Sequence, residues 1–278
     1  MDACSETGLG GNPNPTENFM ESKSSLRLRH RWCVMSLALW SVTLLPIAVE
    51  AQSAADHPDL TGAWGIYRGG RGADPKLAAP PATPLVLKSE YAKPYEAKRA
   101  AEAEAQRRGE QLANGSVMCV PYGVPTMMSI AIYPVEIIQT PKQVTIIGEA
   151  FSEVRRVYMD RPQANIEDVA PGYYGRSVGR WEGDTLVVDT IGIKTTVNGY
   201  RGMPHSEQMR VGERLHLVAP DILHDQITIE DPVVLEKPMT YTVAYKRMPN
   251  YEMVEFVCDN NREYVDDKGV VRMKVREH

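Results

Sequence analysis

The chain has 278 residues, of which 43% are hydrophobic and 24% charged, with a formal net charge of -5. This is the composition of an ordinary globular protein, long enough for one large domain or two small ones. Because the chain is mildly acidic and has no cluster of lysines and arginines, it lacks the basic surface that nucleic acids require, and we expect no nucleic-acid partner.

The first 51 residues have the features of a leader that ends in a signal peptide. A basic stretch, "SLRLRHRW", precedes the long apolar stretch "WCVMSLALWSVTLLPIAV". Val49 and Ala51 are small residues at the positions that a signal peptidase reads, so we predict cleavage after Ala51. The rest of the chain is then periplasmic or secreted, with no permanent membrane anchor. The alternative is an uncleaved anchor, since the apolar stretch approaches the length of a membrane span.

Residues 52–118 combine a short strand, a surface loop and a helix. The stretch "DLTGAWGIYRGG" predicts the strand, and a segment rich in Gly, Ala and Pro follows it as a loop. Next, "KSEYAKPYEAKRAAEAEAQRRGEQLANG" is dense in helix-forming residues and ends at Asn114 and Gly115. Because its apolar stripe is thin, we expect this helix on the outside of the domain.

Residues 119–278 show the period-two alternation of antiparallel strands. The predicted strands are "EIIQT", "QVTIIGEA", "SEVRRVYM", "SVGRWEG", "DTLVVDTIGI", "EQMRVGERLHLV", "DQITIEDP", "MTYTVAYKR" and "EMVEFVC". "TPKQ" and "EGD" predict two tight hairpin turns. Together with residues 52–118, these strands predict one domain: a mainly β fold with a single antiparallel barrel and one peripheral N-terminal helix. The tail is either a final hairpin or a frayed end.

Two cysteines, Cys119 and Cys258, remain after cleavage of the leader. In an oxidising compartment, a lone pair of cysteines most simply forms one disulfide. The alternative, a cysteine nucleophile, requires a free thiol with a low pKa.

Six motifs resemble a large family of secreted bacterial proteins with lipocalin-like barrels. They are "CVPYGVPTMM" at Cys119, "EIIQTPKQVTII" at Glu136, "GRWEGDTLVVDT" at Gly179, "GMPHSEQMRVGER" at Gly202, "ITIEDP" at Ile227 and "EFVC" at Glu255. The resemblance implies a lipocalin-like barrel from Leu60 to Cys258. Similar small barrels include ligand carriers and cofactor-free lyases or isomerases, so the resemblance does not decide between these functions.

The predicted strand after Gly202 carries ionisable residues on its apolar side. Alternation places His205, Glu207, Glu213 and neighbouring apolar residues on one face, and Arg214 on the other. His205 and Glu207 would then lie about 7 Å apart, close enough to act on one ligand. We therefore predict that His205 and Glu207 form an acid–base pair inside the barrel.

Inward carboxylates require cations or hydrogen-bond donors. Arg155 and Arg156 point to opposite faces of their predicted strand, so one of them enters the lumen, and Tyr158 lies on the side of Arg156. An arginine and a tyrosine would stabilise an oxyanion or phenolate. Glu213, Arg214, Trp64, Tyr245 and Glu255 are the candidate ligand-binding residues. Glu213 could instead form a purely structural ion pair that holds two strands together. Trp64 could instead only pack in the core.

These residues predict a cofactor-independent exported enzyme of lyase or isomerase type, acting on a small hydrophobic or aromatic molecule. Serine-hydrolase and nucleotide-binding motifs are absent from the sequence, and no histidine pair has metal-ligand spacing, so we predict neither a cofactor nor a metal. The alternative is a lipocalin-like carrier without catalytic activity. A third possibility, an envelope structural domain, requires a solidly packed lumen. Two acidic groups beside a histidine favour the enzyme, because a carrier of hydrophobic ligands has less need of them. The oligomeric state is left open.

Overall fold

The computed structural model describes residues 57–69, 73–114, 119–130, 132–258 and 263–273. The predicted signal peptide lies outside the described residues. Nine strands close into one barrel in which each strand pairs with its neighbours in sequence and β9 pairs with β1. The strands are β1 Gly62–Ile66, β2 Val135–Thr140, β3 Gln143–Gly148, β4 Glu153–Met159, β5 Arg176–Glu182, β6 Thr185–Ile191, β7 Arg210–Ala219, β8 Ile222–Glu230 and β9 Met239–Arg247. The predicted mainly β, lipocalin-like barrel is confirmed.

Alternation along the strands fills the lumen with apolar side chains. In β3, for example, Val144 and Ile146 are buried, and the residues between them are more exposed. The registers place Ile146 beside Ile137 of β2 and beside Arg155 of β4, so all three point to the same face of the wall. This face is the inside of the barrel, and the core lies there.

One strand pair departs from the predicted antiparallel arrangement. β4 and β5 are parallel, and only three residues of each strand pair, Val157–Met159 with Ser177–Gly179. Residues 160–175 carry the chain back toward the end of the barrel at which β4 began, so that β5 runs in the same direction as β4. Every other neighbouring pair of the barrel is antiparallel.

Helix α1, Ser89–Arg107, lies on the outside as predicted, and Ala105 is its one buried residue. The residue after the helix, Arg108, and Glu110 form an exposed ion pair at its C-terminal end. No helix in the described part of the chain is long and apolar enough to span a membrane.

The predicted strand "EMVEFVC" is wrong. Residues 251–258 form no strand, and Val254 and Val257 are exposed, because the barrel already closes through the pairing of β9 with β1. The tail forms the predicted final hairpin, with strands β10 Glu263–Val265 and β11 Val271–Met273 paired apart from the barrel.

Cys119 and Cys258 form the predicted disulfide, with 139 residues of separation in the sequence. Cys258 lies in the irregular segment after β9, not in a barrel strand. The bond therefore ties the segment that follows the barrel to the loop that precedes β2. Because a crosslink over so long a loop restricts the unfolded chain strongly, it stabilises the fold.

We expect the double substitution Cys119→Ser and Cys258→Ser to lower the free energy of unfolding by about 3–5 kcal/mol. Urea unfolding of the mature chain, compared with the reduced wild type, measures this loss. The reduced wild type serves as the control, since it also lacks the crosslink. A loss below about 1 kcal/mol in both would contradict a constraining role for the bond.

Candidate functional site

A buried ion pair crosses the lumen from β4 to β7. The Arg155 guanidinium donates to both carboxylate oxygens of Glu213, one contact being 2.8 Å long. It also donates to the hydroxyls of Ser177 at 3.1 Å and Thr190 at 2.8 Å. Arg155 and Glu213 are 1% and 0% exposed. Burial opposes the charge of Arg155, but Glu213 outweighs it and raises the pKa of the guanidinium.

Asp225 on β8 is a second buried carboxyl beside this pair. It is 0% exposed, and neither of its oxygens has a hydrogen-bond partner among the described residues. Burial, reinforced by the negative charge of Glu213, raises the pKa of Asp225 well above its ordinary value, and Arg155 only partly opposes the shift. The fold therefore favours the protonated, neutral form of Asp225.

Two tyrosines of β9 complete this polar interior. Tyr245 donates its hydroxyl to the carbonyl of Met128. The Tyr241 hydroxyl is buried and makes no hydrogen bond of good geometry within the described residues, although the Ser129 hydroxyl lies nearby. Burial and the neighbouring Asp225 raise the pKa of both phenols well above the ordinary value, so both stay protonated.

A cavity of about 310 Å³ opens at the seam between β9 and β1. The wall is incomplete here: Tyr67 donates its N–H to Ala244, and Thr83 bonds the backbone of Thr240. Since backbone groups alternate along a strand, those of Thr242 face the gap between these two contacts. We call this cavity the apolar lobe. Among its lining residues are Ile66, Tyr67, Pro80, Ala82, Tyr200, Tyr241 and Val243.

A second cavity of about 530 Å³ adjoins the first and is lined mainly by polar residues. It lies between α1 and the loop of residues 198–202. Ser129, Tyr200 and Arg201 line both cavities, so the two cavities meet at these residues, and we call them together the cleft. We call the second cavity the charged lobe, because Lys98, Arg99, Glu102 and Arg201 line it.

Local backbone geometry places Tyr200 and Arg201 at the junction of the two lobes. Arg201 has a φ of 52° and Gly202 a φ of 77°, a tight left-handed turn that glycine accepts easily. A Cβ on Gly199 would lie 2.9 Å from the Met203 carbonyl, so the loop closes tightly only with glycine there. Tyr95 of α1 donates its hydroxyl to the Arg201 carbonyl at 3.2 Å and fixes the loop against the helix.

Tyr241 connects the cleft to the polar interior. Its ring lines the apolar lobe and packs against Tyr200, with 4.4 Å between ring centroids. Its hydroxyl is buried, and Asp225 lies close enough to help raise its pKa. A ligand on the Tyr200 and Tyr241 rings would therefore contact a residue that also borders the acidic interior.

The predicted acid–base pair of His205 and Glu207 is not assembled in the lumen. β7 begins only at Arg210, and both residues belong to the loop before it. His205 is buried, and its ring nitrogens contact the carbonyls of Val197 and Ser206 at 2.9 and 3.0 Å. Glu207 is exposed in a turn. The alternation rule failed here because Asp231, which accepts from the N–H and hydroxyl of Ser206, holds this segment in a loop.

Three other predicted residues lie on the outer face of the barrel. Arg155 is the inward member of its pair, and Arg156 is exposed. Tyr158 also points outward, with the Arg161 guanidinium 5.0 Å from its ring centroid. Arg214 is exposed and pairs with Glu182 at 2.8 Å. The registers place Arg156 and Tyr158 on the outer side of β4. The prediction that either joins a catalytic group in the lumen is therefore wrong.

The remaining candidates are scattered. Trp64 points inward, donates its ring N–H to Leu60 at 2.8 Å and lies under Arg247, a packing role. Tyr245 and Glu213 belong to the polar interior. Glu255 is exposed in the irregular segment of residues 251–258, so it does not lie in the barrel wall.

Sequence reasoning missed the residues that form the cleft and the second buried acid. Asp225 lies on the same face of β8 as buried Leu223 and Ile227, because the three residues are spaced two apart. This spacing could have identified Asp225 as an inward acid. Tyr200 and Arg201 carry no such periodic signal, because they lie in a loop. Within the described ranges, no three potential metal-ligating side chains cluster together.

Comparison with models of known protein families gives no match, and comparison with curated proteins gives none either.

We expect Glu213→Gln to lower the free energy of unfolding by about 3–5 kcal/mol, because it leaves the Arg155 charge buried without its counterion. The double substitution of Arg155 and Glu213 to leucine should recover at least half of that loss. Urea unfolding measures both. If the double variant were as unstable as the single one, the lost stability would come from packing and not from the unpaired charge.

We expect Asp225→Asn to change the pH dependence of stability. The unfolded aspartate ionises near pH 4, whereas the folded one keeps its proton, so the folded state binds more protons above that pH. Wild-type stability therefore falls as pH rises from about 4 toward the raised pKa, and the asparagine variant lacks this slope.

Thermal unfolding at pH 5 and pH 8 tests this. The melting temperature of the Asp225→Asn variant relative to wild type should rise by roughly 2–4 °C or more between the two pH values. Asp221→Asn, at an exposed position on the same hairpin, is the control and should show no such change. Parallel curves for Asp225→Asn and wild type would mean that Asp225 ionises normally in the fold.

Proposed function

We propose that the protein binds a small, largely apolar or aromatic molecule in the cleft, as a lipocalin-like binding protein. The observation that carries this proposal is the meeting of two cavities, of about 310 and 530 Å³, at the exposed edge of an aromatic pair. Cavities of a few hundred cubic ångströms with apolar walls and a few polar groups are typical of small-molecule sites.

The chemistry of the apolar lobe favours a flat apolar body. Tyr200 and Tyr241 offer ring faces, and Ile66, Pro80 and Val243 add apolar surface. The backbone N–H and carbonyl of Thr242 offer hydrogen bonds at one edge. A ligand that covers these rings replaces water at an apolar surface and gains binding free energy in proportion to the area buried.

We further propose that the mature protein is exported. The leader with its cleavage signal after Ala51 supports this, and the disulfide of Cys119 and Cys258 is compatible with an oxidising compartment. The resemblance to secreted lipocalin-like proteins agrees with both parts of the proposal.

A second candidate function is a cofactor-independent enzyme of lyase or isomerase type. One observation favours it: Asp225, a carboxyl with a raised pKa, lies near the phenol of Tyr241, and neither group has a hydrogen-bond partner within the described residues. Unsatisfied buried acids with raised pKa values are concentrated at catalytic sites. In this function the Tyr241 side chain would turn its hydroxyl toward the ligand and donate a proton, which Asp225 would then restore.

We expect Ala82→Trp to block the apolar lobe and to weaken binding of the neutral fluorescent probe N-phenyl-1-naphthylamine by about tenfold or more. Ala78→Trp is the matched control, because this alanine is equally exposed but lies outside the lining of the lobe. Fluorescence titration of the mature chain measures both affinities. Equal affinities of the two tryptophan variants would place the probe elsewhere and reject the cleft as the binding site.

Deuterium exchange, measured beside the same titration for Tyr241→Phe, separates the two functions. A binding protein keeps its affinity, because the ring that lines the lobe is retained. An enzyme of the proposed type also keeps its affinity but loses deuterium exchange into the bound ligand in D₂O, since the phenolic proton donor is removed.

A further inference from the structure

We propose that the ligand of the cleft is an amphipathic anion, with an apolar or aromatic body on Tyr200 and Tyr241 and an anionic oxygen group beside Arg201. This inference rests on the proposed binding function and adds the chemical class of the ligand. Three observations carry it: the charge of the second lobe, the position of Arg201 and the residues that the two lobes share.

The charged lobe carries an excess of positive charge. Three cationic side chains and one carboxylate line it: Lys98, Arg99, Arg201 and Glu102. Glu102 lies 2.8 Å from Arg99 and 4.0 Å from Lys98, so it is shared within α1. One carboxylate offsets one of the three charges, and the lobe retains two positive charges. An excess of this kind within a chain of net charge -5 is a local feature that attracts anions.

Arg201 is the cation of this lobe that no carboxylate of the described residues neutralises. The interaction of its guanidinium within the described residues is with the Tyr200 ring, whose centroid lies 5.2 Å from Cζ. Its backbone is fixed in the left-handed region by the contact of its carbonyl with Tyr95. An arginine held on an aromatic ring presents its N–H groups in a fixed plane, which suits the two oxygens of a carboxylate or the oxygens of a phosphate.

The helix supports the same site. One face of α1 carries four of these residues. Lys98 and Arg99 lie three and four residues after Tyr95, and Glu102 lies four and three residues after them. Tyr95 contacts the Arg201 loop from this face, so the face is turned toward the loop. The two helix cations, Lys98 and Arg99, therefore lie on the side of the lobe opposite Arg201.

The two lobes meet at Tyr200, and this sets the shape of the ligand. The Tyr200 ring contacts Tyr241 on the apolar side and Arg201 on the charged side. A molecule that covers Tyr200 in the apolar lobe consequently brings its adjoining substituent to Arg201. A neutral apolar molecule would fill the first lobe and leave the cations of the second lobe in water.

The test compares two probes with the same aromatic body. 1-Anilinonaphthalene-8-sulfonate carries an anionic group, and N-phenyl-1-naphthylamine lacks it. We expect Arg201→Gln to lower the affinity for the anionic probe by about tenfold and the affinity for the neutral probe by less than about twofold. Unchanged binding of the neutral probe also shows that the variant is folded. Arg180→Gln, an exposed arginine outside the cleft, removes the same charge and should change neither affinity.

Each outcome has a separate meaning. Equal effects of Arg201→Gln on the two probes, or equal effects of Arg201→Gln and Arg180→Gln on the anionic probe, would overturn the anionic subsite while leaving the binding function intact. Failure of both probes to bind the wild type would reject the proposed function itself.

Competition then identifies the anionic group. 1-Naphthoate and 1-naphthyl phosphate are titrated against the bound anionic probe, with 1-naphthalenemethanol as the neutral competitor. Preferential displacement by naphthoate assigns a carboxylate ligand, and preferential displacement by the phosphate ester assigns a phosphate. If the neutral alcohol displaces the probe as well as either anion does, the inference is wrong.

Discussion

The ion pair between Arg155 and Glu213 is the interaction on which the barrel depends. It joins β4 to β7, and its hydrogen bonds to Ser177 and Thr190 include the two strands between them. These four strands contain the short parallel pairing of β4 with β5, the joint with the fewest paired residues in this part of the wall. A charge buried this deeply is tolerated only when its partners are fixed, so the pair stabilises the joint only as long as the whole set is present.

The same ion pair determines the state of Asp225. The negative charge of Glu213, the partner of Arg155, disfavours a second ionised carboxyl nearby and so helps burial to raise the pKa of Asp225. The neutral form of Asp225 is thereby favoured beside Tyr241. A polar interior of this type, adjacent to an open cleft, combines a structural element with groups that could exchange a proton. This arrangement connects the stability of the barrel with the chemistry proposed for the site.

The cleft arises where the barrel wall is completed by segments that are not barrel strands. β1 leaves β9 after Tyr67, and the Pro-rich segment returns to β9 only at Thr83. The loop around Arg201 borders this gap, and α1 contacts that loop through Tyr95. The barrel wall and the Pro-rich segment line most of the apolar lobe. The helix and the loop of residues 198–202, which come from distant parts of the chain, line most of the charged lobe. A ligand with two chemically different ends matches such a construction.

The sequence by itself determined the barrel, the outer helix and the disulfide, because period-two burial, helix composition and a lone cysteine pair are local or compositional signals. It also placed Glu213 and one of Arg155 and Arg156 in the lumen, since all three lie within alternating strands, but it did not decide which arginine points inward. It could not place His205 and Glu207 correctly, because a side-chain acceptor 25 residues away, Asp231, ends the alternation before β7. Only the tertiary structure decided the site: Tyr200, Arg201 and Tyr241 meet through loop geometry and strand closure, and neither leaves a periodic pattern in the sequence.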